Sequence, residues 1–153
     1  ITVEDQLKNL EDEVNTWKTD YYKVFADMEN LKKRLQNEHA NAMKFMMQSF
    51  IEELLPVVDN FERGLATVPE DEKDAPFVDG MNKVYRQLLT ELENLGVKPI
   101  EAVGKEFDPN FHNAVMQVEN DELEPGTVAQ ELLKGYMYRD TVVRHSMVAV
   151  VQE

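Results

Sequence analysis

Nucleophiles and proton-transfer groups are scarce in this chain of 153 residues. Its three histidines, His39, His112 and His145, lie far apart, and none has a second ligand at helical spacing. A metal site needs several such groups to converge, and a triad needs a base beside its nucleophile. The two serines, Ser49 and Ser146, have no glycine-flanked elbow around them, and cysteine is absent. The six glycines (64, 80, 96, 104, 126 and 135) form neither a phosphate cradle nor a dinucleotide fingerprint. Carboxylates abound, 30 Asp and Glu against 16 Lys and Arg, mostly at the spacing of solvated helix faces. The resulting net charge of −14 speaks against a nucleic-acid partner, because a polyanion is repelled. This inventory predicts a protein that is not an enzyme, with no metal, no cofactor and no small-molecule substrate. No apolar run approaches the ~20 residues that span a bilayer, and no signal-peptide pattern opens the chain. The expectation is therefore a cytoplasmic protein without a membrane partner. The first residue is Ile1, not Met, which predicts a missing N-terminal piece.

Three local groups stand out from this background. The basic run Lys32-Lys33-Arg34 reads either as a solvated face paired with Glu29 and Glu38, or as a docking patch for an acidic surface. Spacing alone leaves both open. The segment from Phe107 to Val115 reads as an ordered corner. There Asp108 and Asn110 bond local backbone, Phe107 and Phe111 pack, and His112 satisfies a buried group. Tyr136 and Tyr138 alternate with Met137, which predicts one core face and one other face, and sequence leaves open which is exposed.

The elements that carry these groups begin with a long helix. Thr2 and Asp5 have capping-box spacing. Apolar residues then step by four and three through Val3, Leu7, Leu10, Val14, Trp17, Tyr21, Val24, Met28, Leu31 and Leu35, with no Gly or Pro before Pro56. Fifty helical residues reach about 75 Å, too far for the rest of one chain to cover such a seam, so a homodimer is predicted. After Leu35 the heptad slips: it would turn Glu38 inward, whereas apolar character continues at His39, Met43, Met46 and Phe50. That slip, with bulky Trp17 and Tyr21, predicts a weak seam. From Phe50 the stripe widens through Ile51, Leu54, Leu55, Val58, Phe61 and Leu65, as a bundle requires. Pro56 is expected to bend or restart the helix. Residues 69–74 read as an acidic loop, and Asp74 as the cap of a second helix with Pro76 in its first turn. The second stripe is Phe77, Met81, Val84, Leu88, Leu92 and Leu95, ended by Gly96 in a left-handed conformation. Two helices per chain, doubled, predict a four-helix bundle. The expected dimer interface is Leu7, Leu10, Val14, Trp17, Tyr21, Val24, Met28, Leu31, Leu35, Phe50, Leu54, Phe61, Met81 and Leu88.

Beyond Gly96 the texture becomes β-prone, with strands expected at 97–100, 114–118, 127–132, 135–144 and 146–151. The predicted class is α+β. It comprises a dimerising helical stalk over 1–48, a four-helix-bundle segment over 49–96, and a compact all-β unit over 97–153.

Several long runs, in order, resemble the GrpE family of nucleotide exchange factors for DnaK-type chaperones. Ala26-Asp27-Met28-Glu29-Asn30-Leu31-Lys32-Lys33-Arg34 is similar to its stalk motif. Phe50-Ile51-Glu52-Glu53-Leu54-Leu55-Pro56-Val57-Val58-Asp59-Asn60-Phe61-Glu62-Arg63 is similar to its bundle-entry motif. Phe77-Val78-Asp79-Gly80-Met81, Leu95-Gly96-Val97 and Phe107-Asp108-Pro109 with His112 and Ala114 follow. Gly126-Thr127-Val128, Glu131-Leu132-Leu133-Lys134-Gly135-Tyr136 and Val142-Val143-Arg144 complete the series. The resemblance implies a parallel dimer with a stalk, a bundle and two small β wings. It also implies a co-chaperone that grips the chaperone's nucleotide-binding domain and accelerates ADP release, with a stalk that melts reversibly as a thermosensor. Lys32 and Lys33 match stalk contacts, Gly80 a bundle contact, and Leu132, Met147 and Val150 the wing surface. Where the family commonly has Arg, Pro and Ala, this chain has Thr141, His145 and Ser146. Thr141 belongs to the expected contact surface but carries no charge, so the resemblance transfers no ionic contact there. The rival expectation is a structural coiled-coil adaptor that binds some other protein through its β unit.

Overall fold

A computed structural model describes residues 1–152. The chain forms two compact units, Ile1–Met46 and the residues from Met47 onward. The final position of the expected β unit, 153, lies outside the described residues.

Helix α1 spans Val3–Ala66 and belongs to both units. Its start is the predicted reciprocal cap: the Asp5 N–H donates to Thr2 Oγ1 at 3.1 Å, and the Thr2 N–H to Asp5 Oδ2 at 3.3 Å. Through residue 35 the side chains of the first unit are all exposed, including the whole seam from Val3 to Leu35. Of the bend or restart expected at Pro56, the restart does not occur, because α1 continues through it. Pro56 and Glu52 both lie on the exposed side, where water can take the Glu52 carbonyl that the proline leaves without a donor.

In the second unit a 3-10 turn, Glu70–Glu72, occupies the acidic loop, and α2 spans Pro76–Asn94. The expected Asp74 cap is replaced by Ala75, which makes no side-chain capping bond. Pro76 at the first helical position restricts its predecessor to extended backbone, so Ala75 (ψ 140°) takes the cap position and Asp74 falls one residue outside. At the other end Leu95 caps α2 and Gly96 turns the chain at φ 98°, as the sequence predicts.

Six strands follow: β1 Val97–Pro99, β2 His112–Val118, β3 Val128–Leu133, β4 Tyr136–Tyr138, β5 Thr141–Arg144 and β6 Ser146–Val151. The single strand expected over 135–144 is in fact the hairpin β4–β5, turned by Arg139 and Asp140 with Arg139 at φ 53°. The strands make two three-stranded sheets, ordered β1-β4-β5 and β2-β6-β3. The first is antiparallel throughout, whereas in the second β2 runs parallel to β6 and β3 antiparallel to it.

Each sheet has its own core. Val97, Tyr136 and Tyr138 of the first sheet pack with Ile51, Leu55 and Val58 of α1 and Leu92 of α2. The tyrosine face is thus the buried one, and the first sheet is seated on the helices. The second sheet closes over Ala102, Val128 and Val148, with Phe107 and Val150 at the margin. No helix among the described residues is long and apolar enough to cross a membrane.

Candidate functional site

Lys32 and Lys33 lie on the exposed surface of α1, and among the described residues neither forms an ion pair. Only Arg34 of the basic run is paired, with Glu38 at 3.7 Å across one helical turn. Both partners are well exposed, so that contact holds little energy. The two lysines therefore remain available as point charges for an outside surface.

On the helical pair, Phe61 stacks on Tyr85 with ring centroids 5.7 Å apart, and Tyr85 donates its hydroxyl to Glu62 at 3.3 Å. Burial first, then the charge of Glu62, pushes the Tyr85 phenol up to about 12. Phe61 and Met81 help line an apolar cleft of about 260 Å³ together with Gly64 and Phe77. Gly80 has no atom within 4 Å of where a Cβ would stand, so packing inside this chain does not require a glycine there. Leu54 and Leu88 pack on the first core, while Phe50 is 60% exposed.

The wing candidates are divided by the sheets. Leu132 on β3 and Met147 on β6 are exposed and close together, since Leu133 is the register partner of Met147. Val150 lies three residues beyond Met147 on the same strand, hence on the opposite face, half-buried against the second core. Thr141 opens β5 in the other sheet, half-buried, with its hydroxyl donating to Asp140 Oδ1 at 3.4 Å. The structure thus unites Leu132 with Met147 and separates Val150 and Thr141 from them.

A polar clamp between β strands and α1 has no local sequence signal. Arg144 makes a bidentate pair with Asp59 at 2.7 and 2.9 Å, donates to the Lys134 carbonyl, and lies over the Tyr136 ring. Lys134 in turn pairs with Glu62 at 3.3 Å. Asp59 and Arg144 stand 85 residues apart, and only their shared presence in the family-like runs marks them. Of the corner expected at residues 107–115, the Asp108 and His112 bonds form, whereas Asn110 supplies only its backbone N–H and β2 already begins at His112. The buried His112 accepts the Asp108 N–H on Nδ1 at 3.0 Å, and Asp108 Oδ1 accepts the Asn110 N–H at 2.9 Å. Among the described residues no group of three His, Asp or Glu side chains is placed to hold a metal ion. What the geometry offers is surface for docking: the adjacent cations Lys32 and Lys33 in one unit, an apolar pair on a sheet in the other.

Comparison with known proteins places the chain in a family. The family model described as GrpE matches residues 2–152. The chain is 57% identical over 126 residues to Protein GrpE of Lachnoclostridium phytofermentans, covering 82% of this chain and 56% of that protein. It is 46% identical over 147 residues to Protein GrpE of Parageobacillus thermoglucosidasius, covering 96% and 66% respectively. For Protein GrpE of Bacillus pumilus the figures are 50% over 130 residues, 85% and 70%. The chain thus spans between about half and two thirds of the first two relatives' length.

Proposed function

The chain belongs to the GrpE family, and on that premise we propose that it is a nucleotide exchange factor for a DnaK-type chaperone. It binds the chaperone's nucleotide-binding domain, holds the cleft open and accelerates ADP release. Family membership across residues 2–152 is the observation that carries this reading. Linkage supplies the mechanism: a partner that prefers the open, ADP-poor state weakens ADP by the same factor by which ADP weakens the partner. No bond is made or broken, so the protein acts without catalytic groups, cofactor or substrate of its own. The working form is a cytoplasmic homodimer joined along the exposed seam from Leu7 to Leu35 and through Phe50, Leu54, Phe61, Met81 and Leu88. Lys32, Lys33 and Gly80, with Leu132, Met147, Val150 and Thr141 of the sheets, supply the docking residues, and Leu132 with Met147 forms the apolar patch. The imperfect seam lets the stalk over residues 1–48 loosen on heating, which slows exchange.

Release of a fluorescent ADP from the cognate chaperone tests this directly. The protein is expected to accelerate release by orders of magnitude, and no acceleration at saturating concentration would sink the proposal. Retention of a lysate partner regardless of ATP would instead point to a structural adaptor, since an exchange factor releases its chaperone when ATP is added.

A further inference from the structure

Of the chain's three passages between its two sheets, the second and third run at one place. β3 leaves the second sheet through Lys134 and Gly135 to become β4 of the helix-seated sheet, and β5 returns through His145 to become β6. Gly135 and Ser146 meet where these passages run side by side. The Gly135 N–H donates to Ser146 Oγ at 3.0 Å. A Cβ on Gly135 would stand 2.6 Å from the Arg144 carbonyl oxygen and from Ser146 Oγ, so only glycine permits this approach. Ser146 is 0% exposed, and Met147 follows it directly in β6.

Glu131 marks an irregularity in the β3–β6 ladder. Glu131 pairs with Val148 and Leu133 with Met147, so the intervening Leu132 has no register partner and stands exposed. On the other side of the crossing, Arg144 and Lys134 are fastened to Asp59 and Glu62 of α1. The Ser146 hydroxyl therefore ties the start of β6, next to Met147, to the passage that leads out of the irregularity carrying Leu132.

We propose that Ser146 is the positioning residue of the Leu132–Met147 patch, its hydroxyl fastening together the two passages beside which Leu132 and Met147 stand. The proposal rests on the docking role given to that patch above. Removing the hydroxyl leaves the Gly135 N–H without a partner, so the two passages loosen and the neighbouring bulge samples more conformations before binding. The loss is about fivefold in affinity, the worth of one intramolecular hydrogen bond.

The test compares the parent with Ser146→Ala, Ser146→Thr and Leu132→Ala. Each is measured for affinity to the nucleotide-free ATPase domain of the chaperone and for amide exchange in the free protein. Ser146→Ala is expected to speed exchange at Leu132, Leu133 and Met147 and to weaken binding, each by about fivefold. Tyr136 and Tyr138 of the helix-seated sheet should exchange as in the parent, and Ser146→Thr should recover both properties. Exchange at Leu132 and Leu133 unchanged in Ser146→Ala, or equally faster in both sheets, overturns the proposal. Parent-like binding by Leu132→Ala would instead defeat the docking role of the patch, while the exchange data still decide the joint. Should the threonine methyl prevent folding, the alanine exchange pattern decides alone.

Discussion

Glu131 Oε2 is buried and has no hydrogen-bond partner among the described residues. Burial pushes its carboxyl up, and Glu62 adds to this, while the Ser146 hydroxyl, Lys134 and His112 oppose it. Because the folded value lies above the ordinary one, the folded state binds the proton more tightly than the unfolded chain does. The associated stability is fully present below about pH 4 and is lost as pH rises through the folded value. Glu131→Gln is therefore expected to stabilise the second unit at neutral pH and to converge with the parent near pH 3 to 4, within the ordinary carboxylate range. Urea titrations at both pH values check this, and an equal effect at both would contradict it. The neighbouring glycine is the opposite case. Gly135→Ala forces a methyl against the Arg144 carbonyl and the Ser146 amide, with an expected loss of about 3 kcal/mol, the upper end for overpacking. In the sequence nothing local marks Gly135 as obligatory, because the atoms it must avoid come from residues 144 and 146.

At the scale of elements, the clamp between β5 and α1 separates geometry from charge. Arg144→Lys keeps the cation but loses the planar fork that meets both Asp59 oxygens, so about 2 kcal/mol of stability should go. Thermal unfolding of the full chain measures it, and a lysine variant as stable as the parent would rule out the bidentate contribution. The helices were legible because their information is local: the capping pair Thr2 and Asp5, the seam, and Gly96 all act within a few residues. The errors were also local conflicts decided elsewhere. Pro56 is tolerated because it faces water, and Ala75 displaces Asp74 as cap because Pro76 constrains the residue before it. The β hairpin at Arg139 escaped notice since an arginine at positive φ carries no turn signature. Leu132 and Met147 are candidates by family resemblance alone. Their adjacency, and the removal of Val150 to the other face, depend on a register that only the pairing of distant strands sets.

For the molecule as a whole, charge and seam strength set the expected behaviour. With a net charge of −14, the protein repels an acidic partner everywhere except around its few unpaired cations. Lys32→Glu with Lys33→Glu should slow association with the chaperone by about tenfold at low salt, and by much less at 0.5 M, where the Debye length is only about 4 Å. A salt-independent loss would mean that the lysines act through shape and not charge. Trp17→Leu with Tyr21→Leu replaces bulky exposed seam residues by ones suited to two-stranded pairing. The stalk transition seen by circular dichroism is expected to rise by a few degrees, and the temperature at which ADP exchange slows should rise with it. Movement of one without the other would uncouple the stalk from heat sensing.

The strand order of the second sheet also bears on how the protein is made. β6 is its central strand, yet it follows both neighbours in the chain: β2 by 28 residues (118 to 146) and β3 by 13 (133 to 146). During synthesis both strands leave the ribosome with open edges and wait for the segment that joins them. Their pairing is long-range, and the parallel half of it is slow to close. The nascent chain thus passes through a stage of exposed apolar edges, and in that interval it presents the kind of surface that chaperones bind.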